Sequence, residues 1–122
     1  MKEGCGAQAA AEPAREDAVW LAPVFSHPSV GAVMSTRAGG VSRAPWDSLN
    51  LGTAVGDDPA AVAENRRRFV ALTDAQPAWL RQVHGSTVVP AHEADAADEP
   101  PQADASWTDQ PGVACIVQVA DC

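Results

Sequence analysis

Asp58-Pro59 is the firmest boundary in this sequence. Aspartate caps a helix N-terminus well, and proline suits the first helical position because its missing N–H would go unused there. A helix is therefore expected from this point to Leu72 or Thr73. Val62 and Phe69 lie seven residues apart on one of its faces, with Asn65 and Arg66 between them and Arg67 turned away. A polar side chain on an apolar stripe needs a partner. The simplest partners for Asn65 and Arg66 are carbonyls of a neighbouring loop; the other possibility is a substrate.

The remaining apolar runs are short and read as strands. Residues 30–36 alternate Val30, Ala32 and Met34 with Gly31, Val33 and Ser35. Residues 78–84 form a second strand, with Leu80, Gln82 and His84 on one face and Trp79, Arg81 and Val83 on the other. Gly85-Ser86 makes a turn, and residues 87–89 form a third short strand that Pro90 ends. Residues 105–108 are extended. Pro111-Gly112 has the order of a type II turn. It launches residues 113–120, apolar except for Gln118, a run that suits a strand buried on both faces. Along that run Cys115 shares a face with Val113, Val117 and Val119 and is expected to be a small core residue. Cys122 falls on the opposite face, in line with Gln118.

Between these elements lie three loops. Thr36-Arg37-Ala38-Gly39-Gly40-Val41-Ser42 carries adjacent glycines, which either make a plain turn or let another group approach the main chain. Residues 43–56 form a long irregular segment of the kind often used for binding. In it Asn50 sits between Leu49 and Leu51 and faces away from both. Residues 92–104 are acidic and rich in alanine and proline, which reads as a solvated loop carrying His92 at its start. His27, beside Pro28, is a loop residue.

At 122 residues the chain has the length of one domain. Its formal net charge of −8 argues against nucleic acid or an anionic membrane surface as a main partner. No run approaches the roughly 20 apolar residues of a membrane span. Residues 1–18 lack the apolar core of a secretory signal and read as a disordered leader, leaving 19–122 as the folded portion. Three cysteines without framework spacing suit a reducing compartment, so the cytoplasm is expected.

Seven short motifs now fall in order: Ser35-Thr36-Arg37-Ala38-Gly39-Gly40-Val41-Ser42, Ser48-Leu49-Asn50-Leu51-Gly52, Val55-Gly56-Asp57-Asp58, Glu64-Asn65-Arg66, Gln82-Val83-His84-Gly85, Ala103-Asp104-Ala105 and Ala120-Asp121-Cys122. In this order and spacing the chain resembles the laccase-domain family. Its bacterial members have been called multicopper polyphenol oxidases, and later purine nucleoside phosphorylases or peptidoglycan editing factors. The resemblance covers about residues 19–122. Trp46 stands where the family usually has an aromatic residue, often tyrosine.

The resemblance implies an α/β (α+β) fold, mixed β-sheets flanked by helices, here cut short. It implies a zinc site that includes His84 and Cys122, with a further histidine ligand in a His-Ala-Gly-Trp-Arg-Gly-like motif beyond the cysteine and outside this chain. Arg37 and Asn50 are implied to lie near substrate, and Arg37 suits a phosphate or carboxylate. The implied reactions are phosphorolysis of adenosine, inosine and methylthioadenosine and deamination of adenosine, so the partners are a purine nucleoside and phosphate. Zinc held by thiolate and imidazole with an open position brings the pKa of its water near neutral, which serves such chemistry.

Other readings stay open. A multicopper oxidase needs many histidines, and this chain has 3; a single copper at His84 and Cys122 is still compatible, because copper competes well at nitrogen and sulfur donors. Cys122 with His84 also has the composition of a cysteine hydrolase pair, and a cysteine or zinc hydrolase acting on peptidoglycan precursors fits the family's third name. Lastly, an alternative reading is an inactive or partner-dependent fragment of the family.

Overall fold

The computed structural model describes residues 19–92 and 99–120. The leader and Cys122 lie outside the described residues. The chain divides into two compact units, Met1–Asp74 and Ala75–Cys122. Small mixed sheets and one helix among the described residues make it an α/β protein.

In the first unit, β1 (Trp20–Leu21) pairs antiparallel with β2 (Met34–Ser35), placing Trp20 opposite Ser35 and Leu21 opposite Met34. Thr36 extends the contact by donating both its N–H (3.1 Å) and its hydroxyl (2.6 Å) to the Val19 carbonyl. The strand expected over 30–36 is thus reduced to its last part. Residues 28–30 make a turn instead, with the Val30 N–H bonded to the His27 carbonyl at 3.1 Å, and Val30 is exposed. Alternation alone could not sustain a strand that finds only two residues of partner.

Helix α1 runs from Pro59 to Thr73, as its boundary signals predict. The Asp58 carboxylate accepts the Ala60 N–H at 3.1 Å. The helix stops where Asp74 turns into the left-handed region (φ 52°) and returns its N–H to the Val70 carbonyl at 3.2 Å. Val62, Asn65 and Phe69 are the buried positions of α1, and Leu49 is buried in the loop region. Arg67 is exposed and bonds Glu64, while Arg68 reaches from Glu64 to the Gly39 carbonyl.

In the second unit, β3 (Gln76–Ala78) pairs parallel with β6 (Val113–Cys115), and β4 (Val88–Pro90) pairs parallel with β5 (Ala105–Trp107). A parallel bridge joins Arg81 to Gln102. The strand expected over 78–84 therefore begins and ends earlier. Pro77 hid its start, yet the ladder tolerates the proline. Gln76 donates to Gly112 and the Ala78 carbonyl accepts from Ile116, so the missing N–H of Pro77 falls on the side away from β6. Gly112 has φ 82°, the value a type II turn requires at its third residue.

Two expectations for the last strand are corrected. It is regular only over Val113–Cys115, not 113–120, and Cys115 is exposed rather than in the core. Val117 (57% exposed) and Val119 (64% exposed) share its open face, whereas Ile116 on the other face is 5% exposed. The reason is layering. A strand with a single paired neighbour and one packed face has only half its side chains covered, however apolar the run. Among the described residues of this unit the buried apolar ones are Ala78, Leu80, Ala91, Ala103 and Ile116.

Candidate functional site

The glycine-containing loop of the first unit is held by side chains from far along the chain. Asn65 is fully buried on α1. Its Oδ1 accepts the Val41 N–H, and its Nδ2 donates to both the Ser42 hydroxyl and the Asn50 carbonyl, each at 2.8 Å. Beside it, Arg66 donates to the Leu51 carbonyl at 2.8 Å. Both residues thus bind loop carbonyls. Buried Ser42 donates its hydroxyl hydrogen bond to Asp57 at 2.5 Å, and Asn50 Nδ2 donates to the same carboxylate oxygen at 3.0 Å. These two donors, with the Asp58 N–H, hold the Asp57 carboxyl below its ordinary pKa against the effect of burial.

Gly40 is needed for this closure. A Cβ there would stand 2.5 Å from the Leu49 Cα and 2.6 Å from Asn65 Oδ1. The close approach that the paired glycines allow is made by the chain itself. Ser48 completes the loop by accepting the Gly40 N–H and donating to the Arg37 carbonyl, both at 3.1 Å. Trp46 pins the outer part through an indole bond to the Val55 carbonyl at 3.1 Å.

Arg37 and Asn50 fare differently in this frame. The Arg37 carbonyl is an anchor, accepting the Ser48 and Leu49 N–H groups at 2.9 and 2.8 Å. Its guanidinium points outward, 74% exposed, braced by the Asp47 carbonyl at 2.7 Å and more loosely by the Asp47 carboxylate at 3.6 Å. Asn50 turns its amide inward, to both N–H and carbonyl of Gly52 and to Asp57.

In the second unit His84 lies not on a strand face but at the tip of a turn, exposed and in the left-handed region (φ 61°). Three successive N–H groups converge there on one carboxylate. Asp104 Oδ1 accepts from Val83 (3.0 Å) and His84 (2.8 Å), and Oδ2 accepts from Gly85 (2.8 Å). Desolvation alone would raise the Asp104 pKa; the three donors, helped by the nearby His84, outweigh it and hold the carboxyl below its ordinary range.

Gln82, two residues before His84, works in the opposite direction. Its Oε1 accepts the Gln118 N–H at 2.7 Å, and its Nε2 donates to the Gln118 carbonyl at 3.0 Å. One side-chain amide thereby replaces a missing strand neighbour and fixes the segment that leads toward Cys122. Among the described residues no group of three or more His, Cys, Asp or Glu could hold a metal. Of the expected pair, Cys122 lies outside the described residues, and His84 presents an exposed imidazole.

His92 is exposed and lines a hollow of about 100 Å³ with Trp107, Thr108 and Asp109. That is well under the roughly 300 Å³ of a typical small-molecule site. Reading the sequence for chemistry missed Asp104 and Ser42. Asp104 looked like one more acid of an acidic loop, and its partners are about twenty residues away; only its place in the Ala103-Asp104-Ala105 motif marked it.

This α/β fold is shared with known proteins. The multi-copper polyphenol oxidoreductase laccase family matches residues 31–122 in profile, and the chain belongs to that family. It is 53% identical over 104 residues to a Pseudomonas aeruginosa protein named purine nucleoside phosphorylase PA4543, covering 84% of this chain and 41% of that protein. It is 45% identical over 105 residues to purine nucleoside phosphorylase YfiH of Escherichia coli, covering 84% of this chain and 42% of the relative. The crystal structure of Neisseria meningitidis protein NMB0706 is similar at a TM-score of 0.79 and 42% identity, over 84% of this chain and 42% of that one. The chain thus spans about two fifths of the length of the relatives it matches. Among the described residues no helix is long and apolar enough to cross a membrane.

Proposed function

We propose that this chain forms part of a cytoplasmic, zinc-dependent purine nucleoside phosphorylase that cleaves adenosine, inosine and methylthioadenosine with phosphate and also deaminates adenosine. The observation that carries the reading is the reciprocal bond between the Gln82 amide and the Gln118 backbone. It ties the segment two residues before His84 to the segment four residues before Cys122, as a shared ion would require. The names of the relatives support the substrate class.

In this reading His84 and Cys122 hold the metal, and a third ligand comes from outside the chain. The ion supplies a Lewis acid. Arg37, braced by Asp47 and exposed, takes the phosphate through its guanidinium. Asn50, whose amide is engaged with Gly52 and Asp57, acts on substrate through the shape of its loop.

The test is chromatography of adenosine incubated with the purified protein, with and without phosphate. Adenine and ribose 1-phosphate are expected only with phosphate, inosine and ammonia in either case, and loss of both in His84→Ala and Cys122→Ser. Adenine release that ignores phosphate would refute phosphorolysis. Unchanged turnover in both variants would refute the site.

The open face of Cys115, Val117 and Val119 favours a second reading, in which this chain is inactive until further polypeptide covers that face. Turnover by the chain alone, at the rate reached after adding the rest of a related domain in trans, would dismiss it.

A further inference from the structure

We propose that Asp104 is a positioning residue for His84: its carboxylate holds the 83–85 turn in the conformation that presents the imidazole outward. This rests on the reading of His84 as a functional group, but the geometry stands by itself. Successive N–H groups that point to one centre form a nest for an anion. Here the anion belongs to the chain, and both carboxylate oxygens are used, one by Val83 and His84 and the other by Gly85. A residue with a side chain persists at positive φ only where its surroundings over-determine it. His84 has φ 61°, and the Asp104 carboxylate receives its N–H together with those of both neighbours.

Asp104 is itself fixed from both ends of the turn it holds. Its N–H donates to the Thr87 carbonyl at 3.0 Å, and the N–H of the preceding, fully buried Ala103 donates to the Arg81 carbonyl at 3.1 Å. The next residue, Ala105, opens the strand that pairs with Val88. The carboxylate is therefore delivered by backbone bonds on either side of residues 82–86. Gly85 leaves room for it: a Cβ there would lie 3.3 Å from Asp104 Oδ2. The clamp bonds the backbone N–H of His84, so it sets the direction of the residue without a hydrogen bond to the ring. Gln82 fixes where the segment lies, and Asp104 fixes where the histidine points.

The experiment is NMR of the intact protein labelled with nitrogen-15 and carbon-13, in the wild type and in Asp104→Ala, Asp104→Asn and Asp104→Glu. Amide exchange at Val83, His84 and Gly85 is expected to rise by roughly tenfold or more in Asp104→Ala. Asp104→Asn should fall between, because its amide keeps one acceptor oxygen. The His84 ring shifts should move with the exchange rates, and Asp104→Glu should restore part of both. Unchanged exchange in Asp104→Asn, or faster exchange with His84 ring shifts as in the wild type, would overturn the proposal. Should Asp104→Ala fail to fold, Asp104→Asn and Asp104→Glu decide it on the same two readouts. These readouts need no turnover. A His84→Ala variant with wild-type phosphorolysis would end the functional reading of His84 and leave the clamp to be judged by the NMR alone.

Discussion

Replacing Asn65 by alanine is expected to be the most damaging polar substitution in the first unit. The side chain is fully buried and makes three hydrogen bonds of 2.8 Å, to the Val41 N–H, the Ser42 hydroxyl and the Asn50 carbonyl. At about 1 kcal/mol net for each bond, their loss costs about 3 kcal/mol. Ser42 is itself buried, so its hydroxyl oxygen, which still donates to Asp57, is left without the donor it accepts from, bringing the total to about 4 kcal/mol. That is a large part of the roughly 5–15 kcal/mol that holds a domain together. Urea denaturation followed by tryptophan fluorescence and circular dichroism measures it. Asn65→Asp is the informative control. It keeps an acceptor for Val41 but replaces the donor to the Asn50 carbonyl by a charged oxygen, so it should be no less damaging near neutral pH. A double-mutant cycle with Ser42→Ala should show coupling of at least about 0.5 kcal/mol. A cost for Asn65→Ala below about 1 kcal/mol, with no coupling to Ser42, would refute the view that this amide is the joint between helix and loops.

Three further outcomes are expected. Gly40→Ala should destabilise by about 2–3 kcal/mol in the same assay, because the new methyl meets the Leu49 backbone, which cannot rotate aside as a flexible side chain would. Glu64 is held to a pKa of about 2, against an ordinary 4.5, chiefly by its bonds from Arg67 and then from Arg68. A lowered carboxyl pKa gives stability that is full above the ordinary value and is lost as pH falls through the folded one. Wild type should therefore exceed Glu64→Gln in melting temperature near neutral pH, and the gap should close between pH 4.5 and about 2; a gap that is constant with pH would contradict the assignment. Cys115 should react with a thiol reagent in the native protein about as fast as in denaturant, as an exposed residue does; strong native protection, read by mass spectrometry of the Cys115 peptide, would restore the buried strand.

What the sequence made legible depended on how local the signal was. The start of helix α1 was readable to the residue, and its end to within one, because capping by Asp58, the fixed φ of Pro59 and the 62–69 stripe all act within a few positions. The burial of Asn65 followed from the same periodicity. The strands were readable as extended segments but not in extent, since a strand ends where its partner ends, and no partner is encoded locally. Cys115 shows the consequence: its parity was right, but which side of β6 would be covered depended on layering that alternation does not contain. His84 was visible as a chemical group and invisible as a turn, because its left-handed conformation is imposed by an aspartate twenty residues on.

The same long reach explains how a core this modest holds its loops. The motif residues divide by what their polar atoms do. Asn50, Ser48, Asn65, Gln82 and Asp104 direct theirs to backbone groups, fixing loops that Leu49, Val62 and Phe69 in the first unit, and Leu80, Ile116 and a few alanines in the second, could not order by burial alone. Arg37 and His84 are held mainly by their own backbones, through the Arg37 carbonyl and the His84 N–H, with their charged or basic ends exposed, Arg37 keeping one bond from Nε to the Asp47 carbonyl. A loop locked through its main chain can present a side chain without using that side chain for stability. Substitution should therefore separate the two groups. Arg37→Met and His84→Ala should leave the urea midpoint close to wild type, because their backbone anchors remain, while Ser48→Ala and Gln82→Ala should lower it. The reverse order would mean that the exposed pair is structural, and that these loops are arranged for stability alone.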